Sequence, residues 1–355
     1  MENRGLLFIP DISGFTRFVN QTDIEHSRLI IQELLEVLIN ANDSGLQVSE
    51  IEGDAILFYK FGENPDLKSL YHQVEKMFCA FHQQLFAYDR SRFCQCSACT
   101  SAIDLTLKVI THYGEFTGYT VKNFNKLIGK DVIVAHQLLK NDIQQHEYWL
   151  VTDNLQKEEP AGPEKWMKWD TKVKQTEAGE VTYHFTQLAK LKDSIVSEPP
   201  PQLEFSDKVK VLSMARVYDA DIIRLFHASG DFRYRHQWQE GVKGVEEVSH
   251  LLPRVGMKHR LIREDGESVI FASSYSFSPQ KIVFAETDEQ KKNCHSYTLE
   301  KIGEEKTRLT IDYFIRRSLG NATLFNIFRK RKMKALLQQS LVNLDTVVKE
   351  VVLPG

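Results

Sequence analysis

The sequence predicts an α+β protein in two domains, and three observations carry that expectation. Strand-like and helix-like periodicities alternate through the first half, a run of strands closed by one long amphipathic helix fills the second, and Pro199-Pro200-Pro201 separates them. Three prolines in a row lack amide donors and favour an extended spacer. The expected boundaries are 1–196, a linker over 197–202, and 203–355. A chain of 355 residues has length for about two domains of ~150 residues each. With 42% hydrophobic and 26% charged residues it is ordinary globular material, which excludes whole-chain disorder and a disulfide-stapled miniprotein. Lys+Arg total 45 against 48 Asp+Glu, so a net charge of -3 provides no global field for nucleic acid.

In the first domain Leu6–Ile9 reads as a strand ending at Pro10-Asp11. Ile24–Asn40 carries Ile30, Ile31, Leu34, Leu35 and Leu38 at helical spacing. Gln47–Ile51 and Ala55–Tyr59 are strands joined through Glu52-Gly53-Asp54, which is hairpin chemistry. Leu67–Ala87 is a second long helix, Leu105–His112 a strand, Asp131–Lys140 a short helix and Tyr148–Thr152 a strand. A last hairpin, Lys172–Gln175 with Val181–Gln187, turns at Ala178-Gly179. This βαββαβ order predicts a ferredoxin-like arrangement with helices on one face of an antiparallel sheet.

In the second domain the strand Phe205–Tyr218 precedes the Asp219-Ala220-Asp221 cap and the helix Ile222–His227. Strands follow at Met257–Arg263, Ser268–Ser276, Lys281–Asp288, Cys294–Ile302 and Thr307–Ile315. A helix over Asn321–Val352, apolar at Leu337, Leu341, Leu344, Val348 and Val351, closes the chain.

Two carboxylates carry the clearest chemistry. Asp11 stands where the first strand stops, in FIPDISGFT, and Asp54 on the hairpin turn of EIEGDAILF. If those strands are neighbours the two converge, as hard oxygen ligands suited to Mg2+ or Mn2+ on a phosphate chain. Singly, each is as well explained as a turn residue. Together the two segments resemble the metal-binding motifs of class III nucleotide cyclase catalytic domains, and Leu127–Leu138 resembles the segment that opens that family's last core helix. The resemblance covers roughly 6–190. It implies that Asp11, the carbonyl of Ile12, and Asp54 hold two divalent cations on a nucleoside triphosphate, in a homodimer.

Where such enzymes use an Asn and an Arg on the last helix, this chain has Ile133 and Gln137, which can neither orient a ribose nor balance phosphate charge. Losing such charge stabilisation costs two or more orders of magnitude in rate. The base-reading positions hold Glu50, as in guanylate cyclases, and Lys126, which fits neither specificity and could pair with Glu50. The first domain is therefore expected to be cyclase-like in fold and degenerate in catalysis.

Arg92-Phe93-Cys94-Gln95-Cys96-Ser97-Ala98-Cys99 places three of the five cysteines in six residues. Cys94, Cys96 and Cys99 form a zinc candidate at knuckle-like spacing, with Cys79, His82 or His112 as a fourth ligand if the fold brings one close. A metal-free reduced loop and a redox sensor stay open, and an iron–sulfur cluster lacks a ligand. His26 and His136 read as structural or surface residues.

The second half, from about 203 to 353, resembles START-like (polyketide cyclase and lipid-transfer) helix-grip domains in its element order, its Trp238–Val245 segment and its terminal helix. That resemblance implies a small hydrophobic ligand, with Phe232, Tyr234, Trp238, Phe271, Tyr275, Phe277 and Tyr313 as candidate lining; a filled core explains any one of them as well. Arg329-Lys330-Arg331-Lys332 with Lys334 is a basic turn that could dock on an anionic partner or membrane surface, but without aromatic interleaving or global basic charge it reads as a solvated helix face.

The leading expectation is a non-enzymatic sensor or adaptor. An active, guanylate-leaning cyclase regulated by the second domain is the alternative, and a zinc- or redox-responsive scaffold the third. The odd cysteine count, a four-residue apolar run before Pro10 and the lack of any ~18-residue apolar stretch predict a cytoplasmic chain without a transmembrane segment.

Overall fold

The computed structural model describes residues 3–157, 163–196, 205–249, 254–264, 266–318 and 321–353. The expected linker at 197–202 lies outside the described residues. The chain divides into two compact units, Met1–Asp89 with Ser97–Glu198, and Arg90–Cys96 with Pro199–Gly355.

The first unit runs β1 (Arg4–Ser13), α1 (Phe15–Gln21), α2 (Ile24–Asn40), β2 (Gln47–Glu52), β3 (Ala55–Phe61), α3 (Leu67–Ser91), α4 (Ser97–Ser101), β4 (Thr106–Glu115), β5 (Thr117–Val121), β6 (Phe124–Ile128), α5 (Lys130–Leu139), β7 (Tyr148–Thr152), β8 (Trp169–Thr176) and β9 (Gly179–Gln187). Its seven-stranded sheet has the order β2-β3-β1-β4-β7-β9-β8, whose first four strands give the ferredoxin-like arrangement. Only the β4–β7 pairing in this sheet is parallel among the described residues.

Two expectations need correction. β1 does not stop at Pro10 but continues to Ser13: pairing with β4 is unbroken, and the missing proline donor falls where the β3 register skips from Phe8 to Asp11. Helices also cover both faces of the sheet. Leu7, Ile9, Tyr148 and Leu150 pack with Val134, Ala135 and Leu138 of α5, while Trp149, of opposite parity, stacks on Tyr71 of α3 at 6.1 Å. Strands buried on both sides must be apolar at every position, as FIP and YWLV are. α2 starts where Asp23 accepts hydrogen bonds from the amides of Glu25 and His26.

The second unit contributes β10 (Lys208–Tyr218), α6 (Ile222–Gly230), α7 (Arg235–Trp238), β11 (Val242–Ser249), β12 (Lys258–Arg263), β13 (Gly266–Ser278), β14 (Lys281–Asp288), β15 (Asn293–Gly303), β16 (Lys306–Arg316), α8 (Asn321–Leu324) and α9 (Lys330–Glu350). The sheet order is β10-β16-β15-β14-β13-β12-β11, antiparallel throughout. Leu337, Leu341, Leu344 and Val348 of α9 enter one core with Leu309 and Ile311 of β16 and Leu225 of α6. The single long helix expected from Asn321 is interrupted, because a π-helical turn at Phe325–Arg329 separates α8 from α9. Residues 90–96 belong to this unit: Phe93 lies in its core, its ring 4.9 Å from that of Tyr275, and the Val255 amide donates to the Ser91 carbonyl at 2.8 Å.

Candidate functional site

Asp11 and Asp54 come together. Asp11 sits opposite both Ala55 and Lys108 in the sheet, and Asp54 follows Gly53, whose φ of 62° closes the tight β2–β3 turn. The Ile12 amide donates to the Asp54 carbonyl at 3.0 Å, which pins the turn to β1. Both carboxylates line a cavity of about 730 Å³ that also takes in Ile12, Lys108, Ile133 and Gln137.

Lys108, which the sequence did not single out, places its Nζ 3.3 Å from Asp11 and donates to the Leu139 carbonyl. Burial pushes the Asp11 carboxyl above its usual range, with Lys108 pulling it back. Burial, then the charge of Asp11, pushes Asp54 up to about 6. Lys108 meets Asp11 directly, Arg17 and Lys140 also line the cavity, and the hard oxygens of the two neighbouring carboxylates fit a divalent cation.

Ile133 and Gln137, both on α5, face the same cavity, and Ile133 is half exposed. Asp131, buried at the start of α5, accepts from the Glu115 amide at 2.6 Å and lies 3.0 Å from His112 Nε2. Burial opposes its charge, but these partners hold it below the usual carboxylate range. Glu50 is hydrogen-bonded to Lys126, with His136 Nε2 4.0 Å away. The Glu50 carboxylate is thus already engaged by Lys126 of β6.

Three buried thiols gather with an unexpected partner. The ligand atoms of His26, Cys94, Cys96 and Cys99 all lie within 4.8 Å of one another. Cys99 Sγ is 3.4 Å from His26 Nδ1 and accepts from the Tyr88 hydroxyl at 2.9 Å. Three thiolates and an imidazole are a tetrahedral zinc set, so this cluster could hold a metal ion such as zinc. The fourth member is neither His112, engaged by Asp131 and Thr152, nor His82, which packs on Phe78. His26 stands on α2, far away in sequence, and no spacing rule could have found it.

The aromatic positions of the second unit do not share one face. Register slips between Ala272 and Ser274, so Tyr275 and Phe277 pair with Phe284 and Ile282, whereas Phe271 pairs with Thr287. Residues directly opposite share a face, and this β-bulge puts Phe271 on the other side of the sheet from Tyr275 and Phe277. Phe277 is 39% exposed. Phe232 and Trp238 cover the buried guanidinium of Arg235, whose carbon lies 4.7 and 5.1 Å from their ring centres, with Tyr234 partly buried nearby. Arg235 binds Glu286 at 2.7 Å and Tyr297 at 3.3 Å. Tyr313 lines a separate cavity of about 570 Å³.

Residues 31–148 match a family described as protein of unknown function (DUF2652). An uncharacterised protein of Mycobacterium tuberculosis is 32% identical over 123 residues, 34% of this chain and 56% of the relative. The chain thus spans about half the length of the curated relative it matches. Among solved structures, the guanylate cyclase domain of RhGC from Catenaria anguillulae with GTP is similar at 12% identity, over 52% of this chain and 97% of that one, with a TM-score of 0.38. A bacterial light-regulated adenylyl cyclase gives 13% identity, 54% and 98% coverage, and a TM-score of 0.38. Protein CV1439 of Chromobacterium violaceum gives 17% identity, 40% and 97% coverage, and a TM-score of 0.30.

Proposed function

We propose that the first unit is a cyclase-like domain that holds a metal–nucleotide without turning it over, and that the protein serves as a sensor or adaptor. One observation carries the proposal: Asp11 and Asp54 share a cavity with Ile133 and Gln137. A bound divalent cation would supply charge for the triphosphate, and the two carboxylates would hold it. Ile133 and Gln137 offer no charge to a developing phosphate anion, so the deficit falls on turnover rather than on ground-state binding. The Glu50–Lys126 pair leaves base selection weak.

The test measures nucleotide binding and cyclic nucleotide production with Mn2+ for the full chain and for Asp54→Ala. GTP or ATP binding that needs the metal, vanishes in Asp54→Ala and yields no cyclic product is the expected outcome. Cyclic product that disappears in the mutant would instead establish the working-cyclase alternative.

Zinc held by His26, Cys94, Cys96 and Cys99 belongs to the same proposal, as the structural metal of the cysteine loop. Protein purified without chelators should carry one zinc, and Cys96→Ser should lose it. Metal-free protein with unchanged stability in Cys96→Ser would remove the metal and leave a redox or purely structural role. The second unit is proposed as the half that takes a small hydrophobic ligand, a role supported by its sheet-and-terminal-helix architecture.

A further inference from the structure

We infer that the turn leading into α9 is a docking surface for an anionic lipid bilayer. Leu324, Ile327 and Phe328 are 56%, 66% and 75% exposed. Phe325, by contrast, is buried, with its ring 5.6 Å from that of Tyr313. That anchor fixes one side of the turn to the sheet while its neighbours project outward. All three come from residues 324–328, so they form one compact apolar patch on this turn. The π-helical turn adds backbone just ahead of α9, so this apolar face is out of phase with the buried stripe of that helix.

Beside the apolar face stand Arg329, Lys330, Arg331, Lys332 and Lys334, all exposed. None of the five makes an ion pair among the described residues. The whole chain carries -3, so this positive charge is local and directional. Exposed large apolar side chains joined to a cationic run are what a bilayer interface accepts: the rings and branched chains enter the acyl boundary and the cations meet headgroup phosphates. Leu324, Phe325 and Phe328 also line the 570 Å³ cavity with Lys292 and Arg329, so apolar depth and cationic rim occur together. A second copy of the chain fits poorly as occupant, because it would set five cations against five. This inference does not rest on nucleotide binding in the first unit.

The test is co-sedimentation of the full chain with vesicles of phosphatidylcholine alone or with about 30% phosphatidylglycerol. Binding should require the anionic lipid and should fall with salt. Phe328→Asp with Ile327→Asp should weaken it at least about tenfold, and so should replacing residues 329–332 by Gln. All these side chains are exposed, so the variants should keep the wild-type melting temperature, which is measured alongside. No binding, equal binding to neutral vesicles, or binding unchanged in both variants would overturn the proposal. A wild-type dimer made monomeric by Phe328→Asp, with vesicle binding intact, would overturn it in favour of a protein interface.

Discussion

Arg235 shows how one side chain organises an interior. It is fully buried, and its charge survives there because Glu286 meets it, Tyr297 bonds both partners, and the faces of Phe232 and Trp238 enclose it. Such a pair contributes less by its attraction than its loss would cost, since a lone buried charge has no water to turn to. Glu286→Gln should therefore destabilise the protein by on the order of 3–5 kcal/mol. Arg235→Met with Glu286→Leu should cost clearly less, because no orphaned charge remains. Urea denaturation of both variants decides, and equal losses would show that the pair is not the source. This contact is illegible in the sequence, because Arg235 lies in a short helical turn and Glu286 in a strand, with nothing local to join them.

At the scale of elements, the carboxylate cleft depends on where α5 begins, and a glycine sets that. Gly114 faces Gly5 across the β1–β4 ladder, and a Cβ added to it would lie 2.3 Å from the Asp131 carboxyl carbon. Asp131 could not then keep its contacts with His112 and the Glu115 amide. Gly114→Ala should cost about 1–3 kcal/mol by denaturant titration, as overpacking does. Unchanged stability would show that the strand gives way freely. The elements most legible in the sequence were those with a clean period: α2 and β14 have the expected bounds, and β7 does too. The β5–β6 hairpin was missed, because its exposed strand β5 has no apolar alternation to reveal it. The bulge in β13 was equally invisible, since a one-residue slip leaves composition untouched and shows only in the partner strand. In the cleft, Asp11 and Asp54 were legible as a pair from the resemblance of their two segments, although Asp11 lies inside β1 rather than at its end, while Lys108 was not, because a lysine in a strand reads as an exposed residue.

For the whole molecule, buried histidines set the response to acid. Burial pushes His82 down to about 3, with Lys192 adding to the effect. Burial and Arg235 push His259 down to about 4 against the opposing pull of Asp231, and burial with Arg235 and Arg263 takes His295 to about 3. A histidine whose folded pKa lies below its unfolded one contributes fully above about pH 6.5 and loses that contribution as pH falls toward the folded value. Stability should thus drop between pH 6.5 and 4. His259 stacks on Phe232 at 3.9 Å, and its Nδ1 has no hydrogen-bond partner among the described residues, so a phenyl ring should fit there. His259→Phe should cut the loss between pH 7 and 5 by about 2 kcal/mol; identical acid profiles would exclude His259 as a contributor. No helix among the described residues is long and apolar enough to cross a membrane. The placement of residues 90–96 in the second unit reaches into protein synthesis. A ribosome delivers Phe93 long before β10 to β16 exist, so a large apolar ring that belongs in the core of the second unit must wait uncovered. Folding in the cell cannot proceed as two finished units in succession; the nascent chain carries a sticky intermediate, and a chaperone or slow translation through the middle of the message would shelter it.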